Sequence, residues 1–225
     1  MMVIKSYAKV NLDLKVSRLY PKKGLHKINS VFQIVEDLWD EITIKENNLN
    51  KDIILCNLKE LELNNSVYKV MDILRINNVI DKHYTISINK NIPMGGGLGG
   101  GSSNAVAVTK HFTNNKKVYK KIAEVVGTDC YFFFSSFKTA RVKAFGNKVK
   151  KVNTQRNITK KDLIFTGINC STKKVYNEFD RLKCYKLKKY KNQLTPAVYS
   201  IYPQLKKYDK IGHLSGSGST FIKKI

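Results

Sequence analysis

The sequence predicts a mixed α/β (α+β) chain in two parts, and three observations predict it. Ala8, Val10, Leu12, Leu14 and Val16 alternate with Lys9, Asn11, Asp13 and Lys15, the period of two that marks a strand. Val67, Val70, Met71 and Leu74 recur at helical spacing behind Ser66. In mid-chain an apolar alternation (Tyr84, Ile86, Ile88) runs into a segment rich in glycine, and a helix-compatible run (Ala105, Val106, Val108) leaves it.

In order, the first strand puts its apolar set on the core and Lys9 and Asn11 together on the opposite face, about 7 Å apart along the strand. Further strands are expected at 28–35, 41–45 and 52–56, then the helix from Ser66 and a strand at 84–89. A helix follows the glycine segment, and another carries Val118, Ile122 and Val125. Gly127-Thr128-Asp129 precedes the aromatic run Cys130-Tyr131-Phe132-Phe133-Phe134, and a strand at 139–145 closes the first part. Residues 147–161, rich in lysine and asparagine, read as a connection. Beyond it come a buried strand at Leu163-Ile164-Phe165, a helix capped by Ser171 or Thr172 and carrying Val175 and Phe179, a helix near 197–207, and a short final strand after Ser215-Gly216-Ser217-Gly218-Ser219. The expected division is 1–150 and 151–225.

Composition narrows the setting. A chain of 225 residues buries enough surface to fold without a disulfide or structural metal. Cys56, Cys130, Cys170 and Cys184 show no zinc-like spacing and read as reduced thiols of a cytoplasmic protein. No apolar run approaches a membrane span, and Lys5, Lys9 and Asp13 interrupt the apolar stretch a signal peptide needs. The formal charge of +24 suggests nucleic acid as a partner. Against it, the lysines are spread over the chain, and arginine, preferred for bidentate phosphate and base contacts, is scarce. The expectation is a solvated lysine surface whose field draws anionic small molecules, with no nucleic-acid partner. The sequence specifies no oligomeric state.

The glycine segment is Pro93-Met94-Gly95-Gly96-Gly97-Leu98-Gly99-Gly100-Gly101-Ser102-Ser103, with six of the chain's 13 glycines. A strand, a glycine turn and a helix start make a phosphate cradle: backbone N–H groups converge, no side chain blocks the anion, and the helix end carries about +0.5 charge. Gly95, Gly97 and Gly100 satisfy the dinucleotide-binding spacing, but the segment lies mid-chain, Pro93 intervenes, and no acid-ended strand is evident about 20 residues on. Gly96–Gly101 nearly satisfy the P-loop, but Ser102-Ser103 stand where that motif needs lysine followed by serine or threonine. A flexible linker would not be framed by proline and a helix start.

The segment resembles the phosphate loop of the GHMP kinases, and the resemblance extends along most of the chain in order. Ser6-Tyr7-Ala8-Lys9-Val10-Asn11-Leu12 is similar to that family's opening strand. Gly24-Leu25-His26 with Val31-Phe32-Gln33 is similar to a substrate segment, and Gly127-Thr128-Asp129 to a catalytic-aspartate motif. Ser171-Thr172 with Tyr176 resembles the start of a second domain, and Leu214-Ser215-Gly216-Ser217-Gly218 a late glycine motif. The resemblance implies a two-domain fold: an N-terminal ribosomal-protein-like α/β domain and a C-terminal ferredoxin-like α+β domain, here trimmed.

The resemblance also implies roles. Asp129 would take the hydroxyl proton of a small-molecule alcohol, with Lys9 paired to it. The glycine loop from Pro93 to Ser103 would hold the phosphates of ATP, with Mg²⁺ accompanying the nucleotide. Asn11, His26, Thr172 and Tyr176 would contact a cytidine diphosphate substrate, and Gly216 and Gly218 would close the phosphate site. Taken alone, each position has a plainer reading: Lys9 a surface lysine, Asp129 a helix or turn cap, His26 and Tyr176 packing residues, the late glycines a strand turn. There are departures: Leu25 stands where the family usually has tyrosine, Lys23 replaces an aspartate, and Ala144-Phe145-Gly146-Asn147 replaces a Gly-x-Gly-Glu pattern. A non-catalytic nucleotide- or RNA-binding protein on the same fold is the competing class. It rests on the charge and the trimmed second part; the intact glycines, Lys9 and Asp129 stand against it.

Overall fold

The computed structural model describes residues 2–153 and 156–224. The chain forms two compact units, each assembled from separated stretches of sequence.

The first unit holds residues up to Ala8, Leu38–Ile92 and Gly100–Ser136. It contains the start of β1 (Ile4–Asn11), the end of β3 (Leu25–Asn47), β4 (Ile53–Cys56), α1 (Ser66–Ile76), β5 (His83–Asn89), α2 (Gly100–Phe112), α3 (Lys116–Val126) and α4 (Cys130–Phe134). β5 pairs antiparallel with β3, from Glu41↔Asn89 to Asn47↔His83, and parallel with β4, from Ile53↔Thr85 to Cys56↔Ile88. A parallel pair needs a crossover, and α1 supplies it. Asn65 caps α1 by accepting from the Val67 N–H, and Val67, Val70, Met71 and Leu74 are all buried. At roughly 1.5–3 kcal/mol per buried side chain, that stripe is what holds the helix to the unit. α1 packs on α2 and α3, and α4 on α2 and α3, so the helix that follows the glycine loop is enclosed by three others.

The second unit holds Lys9–Asp37, Pro93–Gly99 and the chain from Phe137 onward. It contains the end of β1, β2 (Lys15–Tyr20), the start of β3, β6 (Thr139–Ala144), β7 (Lys148–Lys151), β8 (Leu163–Ile164), α5 (Thr172–Arg181), α6 (Thr195–Ile201), β9 (Gly212–Leu214) and β10 (Phe221–Lys223). β3 pairs antiparallel with β2 and β6, and β6 with β7. A separate antiparallel sheet runs in the order β8-β10-β9. Val175 and Phe179 of α5 pack with Ala197 and Val198 of α6, Leu214 and Phe221 in one buried cluster.

Several expectations need correction. The strands expected at 28–35 and 41–45 are one strand, β3, of 23 residues. The alternation from Ala8 to Val16 is broken after Asn11 and resumes at Lys15. The expected connection at 147–161 contains β7; its Thr154 and Gln155 lie outside the described residues. The helix expected near 197–207 ends at Ile201, and Pro203 opens a 3₁₀ segment to Lys210. Proline cannot donate to the preceding turn, which accounts for the break. Lys9 and Asn11 do not face solvent: each is only 3% exposed, so both faces of β1 are covered there.

Candidate active site

Of the glycine segment, Pro93–Gly99 belongs to the second unit and Gly100–Ser103 to the first. In the second unit, Gly95, Gly97 and Gly99 adopt φ of +59°, +72° and +71°, while Gly96 and Leu98 do not have positive φ. Alternation of this kind turns successive N–H groups to one side, the arrangement of an anion-binding nest. The carbonyls turn the other way, and all four from Gly95 to Leu98 are engaged. Gly95 O accepts from the Cys170 N–H at 3.2 Å and Gly96 O from the Thr220 N–H at 3.2 Å. Gly97 O accepts from Lys9 Nζ at 3.0 Å and Leu98 O from the Lys9 N–H at 2.9 Å. Among the described residues the N–H groups from Gly95 to Gly99 donate no hydrogen bond, so they are available to an anion. Leu98, 1% exposed, is the apolar pin that keeps the loop seated.

Lys9 is fixed in the same unit. Besides Gly97 O, its Nζ donates to Asn11 Oδ1 at 2.6 Å. Asn11 Nδ2 donates to Ser30 Oγ at 2.9 Å, and Ser30 Oγ donates to Asp13 O. The Asn11 amide is thereby oriented with its oxygen toward the ammonium, and its backbone N–H donates to Ser215 Oγ at 3.0 Å. The late glycine turn lies against this group. A Cβ on Gly216 would stand 3.0 Å from Asn11 Oδ1 and 3.1 Å from Gly97 O, and one on Gly218 would meet Leu214 at 3.2 Å. Asn192, buried, holds that turn by donating to Leu214 O at 2.9 Å and Gly216 O at 2.7 Å. Sequence reasoning passed over Asn192 and Ser30; neither has a pattern that distinguishes it from an ordinary polar residue.

The residues expected on the substrate side lie in two places in this unit. Thr172 Oγ1 lies 2.9 Å from Ser217 Oγ, beside the late glycines. The His26 ring lies 5.0 Å from that of Tyr176 and 5.7 Å, edge-on, from that of Phe179. Its Nδ1 is 2.9 Å from Ser17 O, an acceptor only, which assigns the proton to Nδ1. Its Nε2 is 3.4 Å from Asp180. Leu25 is exposed.

In the first unit, Gly100-Gly101-Ser102-Ser103 open α2, where the first turn of a helix leaves its N–H groups without intrahelical partners. Ser102 lies against the Gly127-Thr128-Asp129 turn: Cys130 Sγ donates to Ser102 O at 3.7 Å, and a Cβ on Gly127 would stand 3.6 Å from Ser102 Oγ. Asp129 precedes α4, where its carbonyl accepts from the Phe132 N–H at 3.1 Å, but its carboxylate makes no capping hydrogen bond to that helix. Burial pushes the neighbouring Cys130 thiol up to about 12, so it stays protonated and plays no nucleophilic part.

The arrangement defines a class before a protein. The GHMP kinases N terminal domain family matches residues 65–127. The fold resembles solved structures of 4-(cytidine 5'-diphospho)-2C-methyl-D-erythritol kinase (TM-score 0.72, 22% identity, 99% of this chain and 89% of that one) and mevalonate kinase (0.61, 16%, 99% and 91%). It is therefore a GHMP kinase fold, as the α/β expectation held. The chain is also 30% identical over 252 residues to the 4-diphosphocytidyl-2-C-methyl-D-erythritol kinase of Ureaplasma parvum serovar 3, covering 99% of this chain and 95% of that protein. The chain belongs to that family of ATP-dependent small-molecule kinases. No helix among the described residues is long and apolar enough to cross a membrane.

Proposed function

We propose that this chain transfers the γ-phosphoryl group of ATP to the 2-hydroxyl of 4-diphosphocytidyl-2-C-methyl-D-erythritol, a step toward isoprenoid precursors that does not pass through mevalonate. The observation that carries the reading is the loop at Gly95–Gly99, with its carbonyls bonded inward and its N–H groups left to an anion. The full-length likeness to a kinase of that name supports the acceptor.

The residues divide the work as phosphoryl transfer requires. The glycine loop and the start of α2 hold the triphosphate, with Ser102 and Ser103 adding hydroxyls. Asp129 accepts the proton of the attacking hydroxyl, a role worth about 10²–10⁴-fold. Lys9 offsets charge at the transferring group; Asn11 and Gly97 O set where its ammonium points. With both amide ends engaged, Asn11 serves the reaction through Lys9 as well as through any substrate contact. His26, Thr172 and Tyr176 take the cytidine diphosphate end, and Gly216 and Gly218 border the phosphates. Mg²⁺ would accompany ATP and neutralise its phosphates; among the described residues no group of three or more His, Cys, Asp or Glu side chains could hold a metal ion. The segment 1–150 carries the phosphate loop and 151–225 the late glycine turn. The four unpaired cysteines suit a cytoplasmic setting.

Purified protein with ATP and Mg²⁺ is expected to release ADP only when the cytidyl substrate is added. Release with mevalonate or homoserine instead would move the chain to a sister activity. Asp129→Ala is expected to abolish turnover while ATP still binds by calorimetry; retained turnover would remove Asp129 from the mechanism. Tight RNA binding with a steep salt dependence and no ATP binding would favour the non-catalytic reading.

A further inference from the structure

A buried polar network in the first unit ends on the phosphate loop. Asp40 of β3 is fully buried. Its Oδ1 accepts from the N–H groups of Asn91 and Ile92, both at 2.8 Å, which fixes the chain where β5 leads into the loop. Its Oδ2 accepts from Lys90 Nζ and, at 2.9 Å, from Asn104 Nδ2 in the first turns of α2. One carboxylate therefore ties the loop's entry to its exit.

Beyond Asp40 the direction of each proton is fixed as far as Ser6 by what each group can do, and from Ser6 by the geometry of its bond to Ser103. Lysine only donates and carboxylate only accepts. Asn104 Oδ1 accepts from Lys90 Nζ at 3.0 Å, so its Nδ2 carries both remaining bonds, one to Asp40 and one to Ser6 Oγ at 2.9 Å. Ser6 Oγ donates in turn to Ser103 Oγ at 2.8 Å. Ser103 is thus an acceptor toward the protein. Its own hydroxyl proton has no acceptor among the described residues, although the residue is 4% exposed. A buried spare donor at the start of a helix behind a glycine loop needs an anion, and a chain of aligned hydrogen bonds strengthens its last donor.

We propose that Ser6 and Asn104, locked by the Asp40–Lys90 pair, are positioning residues that aim the Ser103 hydroxyl at a phosphate oxygen of ATP. The proposal rests on the reading of Ser103 as a phosphate ligand. It adds that this ligand is set by a four-residue relay that itself never touches the nucleotide.

The test measures ATP affinity by calorimetry and steady-state KM for both substrates on the full chain. Ser103→Ala is expected to weaken ATP about tenfold or more, as loss of a hydrogen bond to a charged group does. Ser6→Ala is expected to weaken ATP about three- to tenfold and leave KM for the acceptor alcohol within about twofold. Ser6→Thr, which keeps the hydroxyl, restores ATP affinity. The double variant Ser6→Ala/Ser103→Ala binds no worse than Ser103→Ala, since two members of one relay do not add. Normal ATP affinity in Ser6→Ala with loss in Ser103→Ala overturns the relay and leaves Ser103 a ligand. Normal affinity in both removes Ser103 from the phosphate site, and the relay with it. Additive losses assign the two serines independent roles and overturn the coupling. If Ser6→Ala does not fold, Ser6→Cys, close in volume but a weak donor, carries the same comparison.

Discussion

Gly97 meets two demands at once. Its φ of +72° lies where an L side chain is strained, and a Cβ would stand 2.3 Å from Ser215 O and 3.0 Å from Gly218 O. Gly97 is thus required by the late glycine turn packed against it; Gly95 is as tight, with Asn169 Oδ1 at 1.9 Å. Gly24 is the natural contrast: φ is +60°, and nothing lies within 4 Å of its missing Cβ. Gly97→Ala is expected to cost about 3 kcal/mol or more, and Gly24→Ala about 1 kcal/mol, in urea unfolding. Equal losses would show that packing against Ser215 and Gly218 is not what constrains the loop. The sequence exposed these glycines but not this reason for them, because the contacts span more than seventy residues.

At the scale of elements, helices were read well because their signals are local. Ser171 caps α5 by accepting from the Lys174 N–H at 3.4 Å, and the helix buries Val175 and Phe179. Ser171→Ala is expected to cost about 1 kcal/mol in thermal or urea unfolding, with the fold retained; no loss would mean that the Tyr202 hydroxyl, which accepts from the Ser171 N–H at 3.0 Å, holds the helix start alone. Strands were read less well because their partners decide them. Glu36 and Asp37 are exposed and interrupt the apolar pattern of β3, yet the strand continues, with Ile34 N–H bonded to Lys138 O and the Asp37 carboxylate accepting from the Lys160 N–H. β7 has one apolar residue, and its Lys148 and Lys150 face Lys143 and Arg141, pairs that repel. Nothing in Lys148-Val149-Lys150-Lys151 announces a strand; the hydrogen-bond ladder to β6 makes it one.

For the whole molecule, the excess of positive charge leaves a measurable mark at His213 in β9. Burial, with Lys191, Lys224 and Arg156 nearby, pulls its pKa down from about 6.5 to about 4. The folded chain therefore refuses a proton that the unfolded chain accepts. Its contribution is intact above about pH 6.5 and is lost as pH falls from there toward 4. Among the described residues His213 Nε2 is buried without a hydrogen-bond partner, so the ring is replaceable by one that does not titrate. The melting temperature of the native chain is expected to fall more steeply between pH 7 and 5 than that of His213→Phe. Parallel curves would mean that carboxylates alone set the acid limb.

The sequence by itself determined the mixed α/β class, most of the helices and the position of the glycine segment, because periodicity, caps and glycine runs are written in neighbouring residues. Lys9, Asp129 and the late glycines came forward as candidates only through the resemblance to the GHMP kinases; taken alone, each had a plainer reading. Only the tertiary structure decided that Lys9 and Asn11 are buried, that the loop's carbonyls are bonded inward, and that Ser103 accepts a hydrogen bond from Ser6. Those facts depend on bonds between residues such as Gly96 and Thr220, or Ser6 and Ser103, about a hundred positions apart. A buried polar group must find its partner wherever the fold brings one, and no spacing along the chain records which one it finds.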